Sequence, residues 1–181
     1  MSPHLADTPV LETDRLTLRA FDARDVEAGA AYLMTERTKY MGGPYSRADA
    51  WDHCCGLIGH WAVRGYGLFA ICLKGSDQAI GDAGLLCPGG YHEPELGWGI
   101  WSTEYEGQGI VREAARAVRD HAYRDHGWST LVSYIDPDNT RSIALAERLG
   151  CRLDADAVIP DLPDWEGTLV YRHPGPSEVM A

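Results

Sequence analysis

Between Thr13 and Ala20 the chain alternates Leu16, Leu18 and Ala20 against Arg15, Thr17 and Arg19, the period of a strand with one buried face. Asp22 followed three residues later by Asp25 has the form of a capping box, so a short helix is expected through about Met34, with Met41-Gly-Gly-Pro-Tyr45 as the break after it. Ser46 and Asp49 repeat the capping pattern ahead of a second helix over about Arg47 to Arg64. Its Trp51, Cys54, Cys55, Ile58, Trp61 and Ala62 recur on one face, a spacing that marks core rather than a ligand pocket. Gly67 to Leu73 and Ala79 to Leu86 are short apolar runs around Gly75-Ser76-Asp77, which predicts an antiparallel hairpin. Pro88 to His92 then loops into a strand over Glu93 to Trp101.

From Gly109 the period lengthens. Val111, Ala115, Val118 and Ala122 recur at helical intervals, and Gly127 supplies a stop. Leu131 to Ile135 reads as a strand, and Asp136-Pro-Asp-Asn139 as a turn that opens a helix burying Leu145 and Leu149 and ending at Gly150. Two further strands are expected around Cys151 to Ile159 and Thr168 to Arg172, separated by a loop rich in Pro and Asp. The alternation of strands and helices over residues 1–173 describes one mixed α/β domain, and residues 174–181 are expected to be a disordered tail.

Composition narrows the function classes. A chain of 181 residues with 45% hydrophobic content has enough apolar surface for one core and is short for two. A formal charge of -11 excludes a duplex-binding surface, which needs clustered Lys and Arg, and suits a cationic or amine substrate as well as plain solubility. No apolar run approaches the roughly 18 residues of a membrane span, and Met1 to Val10 lacks the basic and apolar regions of a signal peptide, so a cytoplasmic location is expected. The five cysteines, Cys54, Cys55, Cys72, Cys87 and Cys151, show no C-x-x-C spacing and read as reduced, mostly buried thiols. The seven histidines show no metal-ligand spacing, and no metal site is expected.

The stretch with most chemistry runs from Glu93 to Cys151. Glu106-Gly107-Gln108-Gly109-Ile110-Val111 joins a strand to a helix, so unpaired amide donors converge at the positive end of the helix dipole. A pyrophosphate fits such a place, and Gly107 and Gly109 let the backbone approach it. An ordinary glycine turn fits the same residues. Both the dinucleotide pattern, broken by Arg112 at its third glycine, and the Walker lysine are missing.

Four segments in order, T-D-R-L-T-L-R, E-L-G-W-G-I-W, G-Q-G-I-V-R-E-A and N-T-R-S-I-A-L-A-E-R-L-G-C, give the run from Leu11 to Arg172 its resemblance to the GNAT superfamily of acetyl-CoA-dependent N-acetyltransferases, closest to the RimJ/RimL-type branch that acts on ribosomal proteins. The resemblance implies a GNAT fold, a mixed, strongly twisted sheet of about seven strands flanked by about four helices, with splayed central strands that admit the pantetheine arm. By position it implies that Gly107, Gln108, Gly109, Val111 and Arg112 form the pyrophosphate loop. Backbone groups of Ile100, Trp101 and Ser102 would pair with pantetheine, and Asn139 and Ser142 would face the cofactor arm and thioester. Asn139 is also a helix cap by residue type. By analogy a homodimer is expected.

Three residues depart from that family's pattern. Glu106 stands where Arg or Gln is usual and Val111 where Gly or Ala is usual, which puts charge and bulk near the phosphates; Arg112 is expected to offset the charge. Ala146 stands where many relatives have a tyrosine acid. The implied reaction moves acetyl from acetyl-CoA to a primary amine, by direct attack in a ternary complex, with a protein N-terminus or a small amine as acceptor. An alkyl amine must lose a proton before attack, and Glu95 is the candidate base. A backbone N–H on the same strand is the expected donor to the oxyanion, and Ser142 the hydroxyl that assists the departing thiolate. Loops near Met34 to Tyr45 and Asp161 to Glu166 are expected to shape the acceptor pocket, and Trp98 or Trp101 either walls the cleft or packs in the core. The rival from another class is a non-catalytic acyl-CoA-binding or regulatory module, motivated by Glu106, Val111 and the missing tyrosine.

Overall fold

The computed structural model describes residues 7–163 and 165–179. Strands β1 (Leu11–Glu12) and β2 (Leu16–Ala20) lead to helix α1 (Val26–Leu33), a 3-10 turn (Glu36–Met41) and helix α2 (Arg47–Arg64). The hairpin β3 (Leu68–Leu73) and β4 (Ala79–Leu86) is followed by β5 (Glu95–Ile100), a second 3-10 turn (Thr103–Tyr105) and α3 (Ile110–Asp125). Then come β6 (Val132–Ile135), α4 (Thr140–Arg148), β7 (Arg152–Leu153), β8 (Leu169–Arg172) and α5 (Pro176–Val179). The eight strands make one sheet in the order β1-β2-β3-β4-β5-β6-β8-β7.

Strand alternation sends successive side chains to opposite faces. Leu16, Leu18, Phe69, Ile71, Leu85 and Leu96 pack with Ile110, Ala114, Ala115 and Val118 of α3 and Ala146 of α4. On the other face Phe21 and Leu68 meet Val26, Ala30 and Leu33 of α1 and Ala50 and Cys54 of α2. Trp98 and Trp101, three residues apart, divide between the faces: Trp98 packs on the α3 side and Trp101 on the α1 side.

The β4 and β5 strands pair over six residues, whereas β5 and β6, parallel, pair only at Glu95 and Val132. Beyond that point the two central strands diverge, which is the expected splay.

Several local expectations change. Trp51, assigned to the core by spacing, is 49% exposed, because α2 turns that edge to solvent while Trp61 is 5% exposed and donates its indole N–H to Leu68 O at 2.9 Å. Of the expected capping box only half forms: the Asp25 carboxylate accepts the Asp22 N–H at 3.0 Å, makes no bond into α1, and accepts two more from Arg19, at 2.7 and 2.9 Å. The strand expected over Cys151 to Ile159 is two residues long. The C-terminal segment expected to be disordered carries α5, and Tyr123 Oη donates to Pro174 O at 2.9 Å; residues 180 and 181 of that segment lie outside the described residues.

Candidate active site

Gly107 and Gly109 have φ of +72° and +75°, a left-handed conformation that favours glycine, and Gly109 is the N-cap of α3 without any side-chain cap. The first N–H groups of α3, at Ile110, Val111 and Arg112, therefore lack intrahelical acceptors and face outward at the positive end of the helix dipole. Arg15, at the β1–β2 turn, steadies this segment: its Nη1 donates to Gln108 O at 3.0 Å and its Nε to Glu113 Oε2 at 2.6 Å. Gln108 braces the turn from within, Nε2 to Glu104 O at 2.7 Å. Such a turn, glycine-walled and rich in amide donors, fits a pyrophosphate.

Arg112 does not offset the charge of Glu106. It lines a groove of about 790 Å³ beside β1, together with Arg15, Arg116 and Arg124. The Glu106 carboxylate is held by Arg37 of the first 3-10 turn at 2.6 Å and by Arg141 of α4 at 3.0 Å. Neither partner was evident from sequence, since each is distant along the chain and sits on its own element.

Trp101 N–H bonds Ile80 O at 3.0 Å across the β4–β5 ladder, and antiparallel pairs alternate, so the main-chain groups of Trp98 and Ile100 turn away from β4 toward the gap. Within the backbone expected to pair with pantetheine, the Trp101 N–H is thus occupied, the Ile100 carbonyl accepts from Arg37 Nη2 at 2.7 Å, and Ser102 Oγ accepts from Glu104 N–H at 3.3 Å. The Ile100 N–H and both groups of Trp98 are the better-placed strand edge. Across the gap Asn139 Oδ1 accepts from Ser142 N–H at 3.2 Å, the cap expected of its residue type. Ser142 Oγ accepts from the Trp98 indole N–H at 3.4 Å, which leaves its own proton free to donate.

At the apex of the splay Ser133 Oγ donates to Leu96 O at 2.7 Å, a side chain serving where the ladder has stopped. Glu95 does likewise on the other face: its carboxylate accepts from the Tyr134 N–H and from the Tyr91 hydroxyl. Tyr91, Tyr134 and Trp165 form a ring cluster there, with centroids 5.2 to 5.4 Å apart. Burial among these groups outweighs both hydrogen bonds and pushes the Glu95 carboxyl up to about 7. Trp165 comes from the loop expected to shape the acceptor pocket; Asp164 of that loop lies outside the described residues.

The sequence reading missed Asp82. It lies on β4 opposite Gly99, on the face that carries Glu95, and accepts the Trp101 indole N–H at 2.6 Å. Burial pushes its carboxyl up to about 6. A signal existed in the sequence, a single charge inside the apolar run Ala79-Ile-Gly-Asp-Ala-Gly-Leu-Leu86.

The family model for the acetyltransferase (GNAT) domain matches residues 15–152, which takes in the strand, turn and helix just described. The chain belongs to the GNAT family of acetyl-CoA-dependent acetyltransferases. A relative of known structure, an acetyltransferase from Agrobacterium tumefaciens str. C58, is 35% identical and superposes with a TM-score of 0.85 over 96% of this chain and 99% of its own. An uncharacterized N-acetyltransferase of Bacillus subtilis (strain 168), YnaD, is 24% identical over 89% of this chain and 94% of its own. The fold is shared with RimL, a ribosomal L7/L12 alpha-N-protein acetyltransferase solved in complex with coenzyme A, at 20% identity and a TM-score of 0.72 over 91% of this chain and 97% of that one.

Proposed function

We propose that this acetyltransferase acts on a primary amine, with acetyl-CoA along the α3–α4 side of the splay and the acceptor on the α1–α2 side. The pyrophosphate would rest on Gly107, Gln108, Gly109 and the free amides of Val111 and Arg112, with pantetheine along the Trp98 and Ile100 edge. Bound there, acetyl-CoA supplies a thioester carbon to the amine, and the sulfur leaves as a thiolate. Glu95 takes the proton from the attacking amine, directly or through one water. Ser142 Oγ donates toward the departing sulfur, and the Trp98 N–H, the gap-facing amide nearer to Glu95 and beside Ser142, toward the carbonyl oxygen.

The observation that carries this reading is the place of Glu95 at the apex where the two central strands part, buried so that its carboxyl is pushed up to about 7. A base poised near the working pH is deprotonated often enough to act and basic enough to help. The acceptor is a small amine, or a protein N-terminus as in the ribosomal-protein branch that this chain resembles. The non-catalytic alternative drew on Glu106, on Val111 and on the absent tyrosine at Ala146. Glu106 is countered by two guanidinium groups, Val111 offers the turn its main-chain amide whatever its side chain, and Ser142 Oγ, with its proton free, can serve where the tyrosine is missing.

Thiol release and calorimetry test the proposal together. Glu95→Gln is expected to lower turnover by about 100-fold or more while leaving acetyl-CoA affinity within about twofold. The active form is the carboxylate, so kcat/KM of the parent protein rises as pH passes upward through about 7, and the variant lacks that limb. Equal turnover in the two proteins would remove Glu95 as the base.

A further inference from the structure

Arg37 has no part in the proposed transfer, yet its guanidinium joins two places that the cofactor would use. Its Nη2 donates to the Ile100 carbonyl at 2.7 Å, and its Nη1 pairs with Glu106 Oε1 at 2.6 Å. Ile100 is the last residue of β5, and Glu106 stands immediately before Gly107 of the glycine turn. One planar fork therefore spans the two ends of the segment 100–106.

Within that segment the main-chain bonds are those of the second 3-10 turn, Tyr105 N–H to Ser102 O at 3.3 Å and Glu106 N–H to Thr103 O at 3.2 Å. Before it, Trp101 is fastened to β4, by its N–H to Ile80 O at 3.0 Å and its indole to Asp82 at 2.6 Å. After it, Arg15 holds Gln108 O to the β1–β2 turn, and Arg141 holds Glu106 to α4. The strand edge thus belongs to β4 and the turn to the helices. Among the described residues no other side chain hydrogen-bonds to both Ile100 and Glu106.

The mount of this brace is firm. Arg37 lies in the 3-10 turn Glu36–Met41 beside Thr38, which is fully buried with its hydroxyl 2.9 Å from both Leu33 O and Thr35 O. Arg37 Nε is buried and has no hydrogen-bond partner among the described residues. A buried donor left unpaired is costly, so the pose is set by the two Nη contacts rather than by satisfaction of the whole group.

We infer that Arg37 is a positioning residue for acetyl-CoA, fixing the span between the strand edge that takes pantetheine and the turn that takes pyrophosphate. This rests on the placement of the cofactor proposed above. A ligand that occupies both places gains from a preset span, because seating one half presents the other to its partners at high effective concentration. A ligand that occupies the turn alone gains nothing from it. Lysine would keep a positive charge beside Glu106 but lacks the rigid fork that holds two acceptors at a fixed separation.

The test compares two ligands by calorimetry: CoA, and adenosine 3′-phosphate 5′-diphosphate, which keeps the pyrophosphate end of CoA and has no pantetheine. The parent protein is expected to bind CoA at least about tenfold more tightly than the fragment. Arg37→Lys should lose about tenfold in CoA affinity and stay within about twofold for the fragment. A residue needed only for folding, or one acting only through charge at the turn, would lower both ligands together. Equal losses for both, no loss for either, or a parent protein that binds the two alike would each overturn the inference. So would a fragment that fails to displace CoA, since the placement itself would then be wrong. Arg37→Gln lowers both affinities through the lost charge but CoA further, and it decides the matter should the lysine variant not fold. Thiol release from acetyl-CoA with a panel of amines is measured separately: a lost CoA preference without release in the parent would sink the transfer reading and leave the brace standing.

Discussion

Glu106 ends the 3-10 turn that precedes Gly107, where a lone carboxylate would repel a pyrophosphate. Arg37 and Arg141 take that charge, and the second is 80% exposed on its side chain, so water screens its part. Arg141→Ala is therefore expected to weaken acetyl-CoA binding several-fold, and Glu106→Gln in that background to restore most of the loss; alone, Glu106→Gln should change affinity little. Calorimetric constants for the four proteins complete the cycle. An Arg141→Ala loss of the same size with and without Glu106 would mean that the guanidinium meets the phosphate itself. Residue type made Glu106 look like a defect because the compensating arginines, at positions 37 and 141, lie far away along the chain. Glu95 was legible as a candidate base by its place in the strand. Its raised pKa was not, since the groups that bury it come from positions 91, 134 and 165.

Strand β5 and strand β6 part after one ladder pair, and side chains hold the apex. Ser133 Oγ donates to Leu96 O and stands 3.0 Å from His173 Nε2, and burial of the imidazole pushes it down to about 3, so it is neutral and its Nε2–H has Ser133 Oγ as acceptor. Ser133→Ala leaves both partners buried and unsatisfied, and is expected to cost about 1–3 kcal/mol in urea unfolding. A cost near zero would mean that the strands hold their angle without this peg. Strand β7 illustrates the reverse, a pattern that outran its ladder. The apolar positions after Cys151 suggested a long strand, but Asp154 turns the chain, accepting Asp156 N–H at 3.2 Å and Arg172 Nε at 2.6 Å. Val158, 63% exposed, has no sheet neighbour beyond that turn. Helices α3 and α4 were read closely because each has one apolar face and a glycine beyond its end.

Across the whole molecule the sheet separates two layers, α3 and α4 on one face and α1 and α2 on the other, and in the proposed function the first layer takes the cofactor and the second the acceptor. The second layer is fastened to the sheet by Arg19 and Asp25, with side chains 10% and 3% exposed, and by Arg19 Nη2 to Asp77 O at 2.8 Å. Asp25→Ala strands a buried guanidinium and should cost about 3–5 kcal/mol, whereas Arg24→Ala, which breaks exposed pairs, should stay within about 1 kcal/mol in the same denaturation experiment. Similar costs for both would show that the Arg19 pair is no more shielded than the surface. From sequence alone came the element order, the glycine turn ahead of α3 and the cap at Asn139, which follow from periodicity, glycine and local hydrogen bonding within a few residues, while the GNAT likeness rested on four motifs in order and Glu95 was a candidate base by its place in the strand. Only the tertiary structure decided that Glu106 is paired with two arginines, that burial pushes the Glu95 carboxyl up and that Asp82 shares its face, because charge and burial depend on neighbours that the sheet brings together from distant positions.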